Sequence, residues 1–244
     1  MNLTDQNLRE KEFHNKLQSK SKGRFENIFY KAISNAWDDF YNFLNTNAKN
    51  SEILDYGCGV GPVIEKVIKF NPKKITGIDI SNVSISKARE KFTNSKVELI
   101  VDNCENTSFS NDKFDIVYGL GILHHLKIPK CINEILRILK PNGTLLFIEP
   151  LGTNPLINFY RLLTPSSRSK DEHPLIFKDF GIIEENFGNV NLKYYGFLTL
   201  VFFPFYRSSN SRFFQILVRL DQKLFKIKLF KYFAWSVLIT AKKN

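Results

Sequence analysis

The chain has 244 residues, 43% of them apolar and 24% charged, which suits a folded protein with a sizeable core and excludes a disordered chain. Its three cysteines, Cys58, Cys104 and Cys131, are sparse and widely spaced, so they make neither a disulfide scaffold nor a zinc-type CxxC pair, and no metal is expected. The net charge of +11 is uneven: residues 151–244 carry 14 basic and 6 acidic side chains, residues 51–150 carry 13 and 12.

The opening "MNLTDQNLREKEFHNK" is polar and acid-bearing, unlike a secretory or transit sequence, and no apolar run is long enough to span a bilayer. A cytoplasmic location is expected, with peripheral contact at the inner face of a membrane as an extension of it. Next, Phe25, Ile28, Phe29, Ala32, Ile33, Ala36, Trp37, Phe40, Tyr41 and Leu44 recur at three-and-four spacing. That spacing predicts an amphipathic helix, either packing on the core or capping a ligand site.

Residues 51–150 alternate short β-rich runs ("EILDY", "KITGID", "VELIVD", "FDIVYG", "GTLLFIE") with helical patterns ("PVIEKVIKF", "SNVSISKAREKF", "IPKCINEILRILK"). Near-continuous apolar strands separated by helices predict a doubly wound, mostly parallel α/β sheet. Ser81 is the expected N-cap of the second helix, and "KPNG" the stop of the third. Beyond residue 150, "FKDFGIIEENFG" reads as a helix, and "NVNLKYYGF" and "AWSVLITAKK" as two further strands. The aromatic, basic stretch between those strands is too long for a hairpin and reads as a helical insertion. The expected organisation is a single integrated domain. It comprises an N-terminal helical cap (1–50), a ligand-binding core (51–150) and a sheet-completing part with a lid (151–244).

The stretch "SEILDYGCGVGP" sets a strand, then glycines, then a helix, which brings a ligand close to backbone. A dinucleotide fingerprint, GxGxxG, would need glycine at 62, where Pro62 stands; Gly57, Gly59 and Gly61 make GxGxG instead. Pro62 is expected in the first turn of the following helix. This pattern, preceded by Asp55, resembles motif I of the class I S-adenosylmethionine-dependent methyltransferases. "TGIDIS", "VDNCENTSF", "FDIVYGLGILHHL" and "ILRILKPNGTLLFIEP" resemble that family's later segments in the right order.

The resemblance implies a Rossmann-like seven-stranded sheet with S-adenosylmethionine as cofactor. It places the cofactor against Asp55, Gly57, Cys58, Gly59 and Gly61, then Asp79 and Ile80. Asp102, Asn103 and Cys104 follow around the adenine, and Leu120 closes the set. Of the carboxylates, Asp79 is expected on the ribose diol. Asp55 is expected to hold the glycine turn or the methionine ammonium.

His124 and His125 follow the fourth strand, where the transferable methyl is expected, and two readings stand: a general base, with His125 slightly favoured, or a pocket wall. The fourth strand lacks the Asn/Asp-Pro-Pro-Tyr motif of amino-methylating nucleic-acid enzymes, and no cysteine pair like that of RNA cytosine C5 enzymes exists. The expected acceptor is therefore a small molecule, such as a lipid, a sugar or another biosynthetic intermediate, methylated at oxygen. Arg161, Arg168, Asp171, Glu172 and His173 offer contacts to it, or are fortuitous surface charges.

Phe213, Leu217, Leu220 and Leu224 are placed on one helical face, with Arg212, Arg219, Lys223 and Lys226 interleaved. Residues 198–233 are read as a lid over an amphiphilic substrate with peripheral membrane contact, against plain core packing. Nucleic acid is the disfavoured partner. The alternative functions are an RNA methyltransferase using the basic C-terminal part, a NAD(P)-binding oxidoreductase, or a cofactor-binding protein without turnover.

Overall fold

The computed structural model describes residues 3–19, 28–165 and 168–244. Seven strands form one sheet: β1 (Glu52–Tyr56), β2 (Lys74–Asp79), β3 (Val97–Val101), β4 (Phe114–Leu120), β5 (Leu139–Pro150), β6 (Asn189–Tyr195) and β7 (Ser236–Lys242). Their spatial order is β3-β2-β1-β4-β5-β7-β6. The first five run parallel, and β7 lies antiparallel between β5 and β6. The chain order reverses between β1 and β4, and ligands of such sheets collect beyond the strand ends at that point.

The strands read as apolar runs because both faces are covered. Leu54, Val117, Leu145 and Phe147 face one layer, where α5 (Ile128–Ile138) packs Cys131, Ile132, Ile135 and Ile138 beside α7 (Phe177–Asn186). Ile53, Ile116, Tyr118 and Leu146 face the other, formed by α2 (Ser34–Asn47), α3 (Ile64–Val67) and α4 (Asn82–Lys91). Ser81 caps α4, its Oγ accepting the Ser84 N–H at 3.0 Å.

Two local expectations are corrected and a third is refined. The helix predicted from Phe25 is a 3-10 turn over Ile28–Ile33 followed by α2, and Phe25 itself lies outside the described residues. α3 is one turn long, extended by a 3-10 turn, and Pro62 stands in the turn before it rather than inside it. The third expected helix, α5, does stop ahead of "KPNG", at Ile138, and that stretch falls within β5, where the pairing with β4 shifts register and Asn142 takes a left-handed φ of 62°.

A further helix, α1 (Asp5–Ser19), crosses the carboxyl ends of the strands. It is tied to α4 by Ser81 Oγ donating to Asn15 Oδ1 at 2.6 Å, and to the loop after β3 by Asn103 Nδ2 donating to Asn7 Oδ1 at 3.4 Å. The β6–β7 insertion holds α8 (Leu198–Val201) and α9 (Arg212–Leu224), and α6 (Pro155–Leu163) follows β5.

The face expected of α9 is also corrected. Phe214, Leu217 and Asp221 point inward, while Phe213, Ile216 and Leu220 form an exposed apolar stripe. The reason is α8, whose first N–H groups have no acceptor within the helix and need one from outside it. Asp221 accepts from the N–H groups of Phe197 (3.2 Å), Leu198 (2.7 Å) and Thr199 (3.3 Å) and from Thr199 Oγ1 (3.1 Å). Replacing Asp221 by Ala strands these buried donors, and a loss of about 2–4 kcal/mol in urea unfolding is expected. A loss under about 0.5 kcal/mol would show that water replaces the carboxylate without cost.

Candidate active site

At the switch point between β1 and β4 lies a cavity of about 1300 Å³. The turn after β1 holds Gly57, Gly59 and Gly61 at φ of 79°, 54° and 75°, a region disfavoured for other residues. The glycines do different work. A Cβ at Gly61 would meet the Phe92 ring at 2.5 Å, so Gly61 serves packing and does not line the cavity. A Cβ at Gly59 would meet nothing within 4 Å, so the space beside it is the cavity itself.

Asp79, at the end of β2, accepts the Gly59 N–H on Oδ2 at 2.9 Å and the Ser81 N–H on Oδ1 at 2.8 Å. Burial raises its pKa, and the two N–H groups partly offset that. Ile80, Asn103, Cys104 and Leu120 line the same space, as do Asp55, Gly57 and Cys58. Burial also pushes the thiols of Cys58 and Cys104 well up, leaving them as packing groups. Asp102 does not line the cavity. Its carboxylate closes its own loop, accepting from the N–H groups of Asn103 and Ser108 and the Ser108 hydroxyl, each at 2.8 Å.

Asp55 is buried, aligned across the ladder with Tyr118, whose hydroxyl donates to it at 3.0 Å. Burial pushes its pKa up to about 8, against the Tyr118 hydrogen bond, and the charge of Asp79 adds to the rise. The unfolded value is near 4, so between about pH 4 and pH 8 the folded protein keeps a proton that the unfolded chain has lost. Stability of the cofactor-free protein should therefore fall as pH rises through that window. Asp55→Asn should flatten this dependence in denaturant titrations between pH 5 and pH 8. An unchanged slope would place the titrating group elsewhere.

After β4, a 3-10 turn over Leu123–His125 carries both histidines into the cavity wall. Glu149, fully buried at the end of β5, organises that turn. Its Oε1 accepts the N–H groups of Ile122 and Leu123, both at 2.9 Å, and its Oε2 lies 2.8 Å from His124 Nδ1. Burial pushes the Glu149 pKa up to about 7, and the two N–H groups pull it back. His124 Nε2 is turned toward Glu172, 3.9 Å from its carboxylate. His125 is held down to about 4 by burial, with His124 beside it adding to the effect.

Of the residues expected to touch an acceptor, Arg161, Arg168 and Glu172 line the cavity. Arg161 also donates to the Leu151 carbonyl at 2.9 Å, and burial lowers its pKa to about 10. Asp171 instead pairs with Arg9 at 2.8 Å, and His173 lies outside the lining. From the insertion, Leu200, Val201, Phe203 and Pro204 reach the cavity, and α9 does not. The sequence reading missed Glu149, a lone glutamate ending an apolar run, and Glu10 and His14, which α1 brings to the wall at i,i+4 spacing.

Residues 53–143 match a family described as a methyltransferase domain. Sterol 4-C-methyltransferase strm-1 of Caenorhabditis elegans is 30% identical over 112 residues, covering 44% of this chain and 33% of that protein. A tRNA U34 carboxymethyltransferase of Nautilia profundicola is 30% identical over 118 residues, covering 46% of this chain and 39% of that one. The chain thus spans well under half the length of these curated relatives. Over the whole fold, the N-methyltransferase NodS from Bradyrhizobium japonicum, solved with S-adenosyl-L-homocysteine, superposes with a TM-score of 0.65 at 14% identity. That likeness covers 96% of this chain and 98% of NodS.

Proposed function

We propose, from a chain whose residues 53–143 form a class I S-adenosylmethionine-dependent methyltransferase domain, that it methylates a hydroxyl oxygen on an amphiphilic small molecule. The observation carrying this reading is the single cavity that joins the Gly57–Gly59 turn and Asp79 to an apolar wall of Trp37, Ile157, Phe203 and Trp235. Its volume exceeds that of an ordinary one-ligand pocket, leaving room for an acceptor beside a cofactor. A sterol-methylating relative fits an apolar acceptor.

The cofactor supplies an electrophilic methyl group on a sulfonium. The protein's own contribution is alignment and proton removal. Asp79 and the glycine turn receive the ribose and the methionine part. His124 donates a hydrogen bond from Nδ1–H to Glu149 Oε2 and presents the lone pair of Nε2. With cofactor and acceptor bound, Nε2 would take up the proton that the acceptor hydroxyl loses on methylation. The test is incubation with methyl-labelled S-adenosylmethionine and a panel of hydroxyl-bearing sterols, quinols, lipids and sugars, with bulk tRNA alongside. Label in an extractable methyl ether is expected; label in RNA alone would favour the basic C-terminal part as an RNA-binding surface.

The cavity mouth also supports membrane contact. Leu156, Tyr160 and Val201 both line the cavity and are exposed, and Leu162, Leu163, Phe205 and Ile216 are exposed nearby in the chain. Arg219 and Lys223 are exposed on α9, and Lys226 is exposed just after it. No described helix is long and apolar enough to cross a membrane, so the contact proposed is peripheral, on an anionic bilayer. Co-sedimentation with anionic vesicles should occur at low salt and fade at high salt. A protein that stays in the supernatant at low salt rules the contact out.

A further inference from the structure

The reaction scheme leaves one buried polar cluster unused. Glu10 and His14 lie one turn apart on α1, and His125 faces them from the turn after β4; all three line the cavity. Glu10 Oε2 stands 3.1 Å from His125 Nδ1 and 3.5 Å from His14 Nε2. The Glu10 and His125 side chains are only 6% and 3% exposed. Yet neither Glu10 Oε2 nor His125 Nδ1 has a hydrogen-bond partner among the described residues, since the angles across their 3.1 Å gap do not suit one. A buried carboxylate oxygen and ring nitrogen left this way are costly unless something sits between them.

The spacing says what fits. Metal–donor bonds of about 2.1 Å set neighbouring donors about 3.0–3.4 Å apart, from right-angle to tetrahedral arrangements. The gaps of 3.1 and 3.5 Å lie at that scale, and the three residues offer donor atoms that all fall within 4.8 Å of one another. The other oxygen of Glu10 accepts from Ser169 Oγ, an outer hydrogen bond of the kind that orients a metal-binding carboxylate. Asp79 lies within electrostatic reach of both rings and adds negative charge.

We propose that Glu10, His14 and His125 bind a divalent first-row transition-metal ion, with zinc(II) the best match to two imidazoles and one carboxylate. Three protein donors leave a coordination position for water or a ligand heteroatom from the cavity. Because two donors come from α1 and one from the loop after β4, the ion would also pin α1 across the strand ends.

The test is independent of any methyl transfer. Chelator-stripped full-length protein is titrated calorimetrically with zinc(II), and cobalt(II) is followed by its visible absorption, whose intensity reports coordination number. One equivalent should bind with Kd below about 100 µM. His14→Ala, at a half-buried position that tolerates truncation, and Glu10→Gln should each weaken it at least tenfold and abolish the cobalt bands. Weaker binding in the parent protein, or binding that both variants leave unchanged, overturns the site. Thermal melts confirm that each variant folds, and the cobalt spectrum of the parent decides the matter should either fail to.

Discussion

Asp79→Ala should weaken the binding of S-adenosylmethionine, or of its demethylated product, by about ten- to a hundredfold, or about 1.5–3 kcal/mol. The carboxylate is already placed for the task. Each oxygen accepts one backbone N–H, from Gly59 on one side and Ser81 on the other, which fixes its plane. Each then retains a lone pair for one hydroxyl of a vicinal diol. Removing the side chain costs those bonds and also loosens Gly59, whose open side is the cavity. Asp79→Asn separates the two effects: its amide oxygen can still hold one N–H, but its NH2 cannot accept from the second hydroxyl. Asn should therefore fall between the parent and Ala. Calorimetric titration measures it, and an affinity for Ala within twofold of the parent would remove Asp79 from the cofactor site.

The strands and their flanking helices were legible because a sheet covered on both faces leaves an unmistakable pattern, short apolar runs such as "KITGID" closed by a polar residue. The glycine turn was legible from the spacing of Gly57, Gly59 and Gly61 directly after an apolar run. What escaped was whatever depended on a polar residue turned inward. α1 shows almost no apolar periodicity, and the residues it brings to the cavity are Asn7, Glu10 and His14, so sequence gave no reason to dock it there. Asp79 and Asp102 look alike as strand-end aspartates. Only the position of Ser108 decides that Asp102 is consumed within its own loop. On α9 two apolar stripes compete, and periodicity alone cannot say which is buried. Asp221 settles it, because α8 requires an acceptor. For α1 and α9 a hydrogen bond between distant segments chose the face, and nothing local in the sequence encodes that bond.

His124→Asn should lower kcat by about a hundredfold or more while cofactor affinity stays within twofold. The sequence alone slightly favoured His125, but the geometry distinguishes the neighbours. His124 is oriented by a fully buried carboxylate 2.8 Å from Nδ1, the arrangement that fixes a tautomer and holds the positive charge an imidazole gains with a proton. Glu149→Gln probes that link with little change of shape. The N–H groups of Ile122 and Leu123 demand an oxygen at Oε1, so the amide must turn its NH2 toward His124. The ring then has to accept at Nδ1 and carry its proton on Nε2, which removes the lone pair from the cavity side. A rate loss of similar size is expected from this single-atom change, with KM little altered. Since both substitutions disable one unit, the double variant should be no slower than the slower single one. Rates measured at saturating acceptor and cofactor decide it. Should the His124→Asn rate stay within threefold of the parent, or the two losses multiply, the histidine–glutamate pair is a scaffold for the turn and the proton leaves by another route.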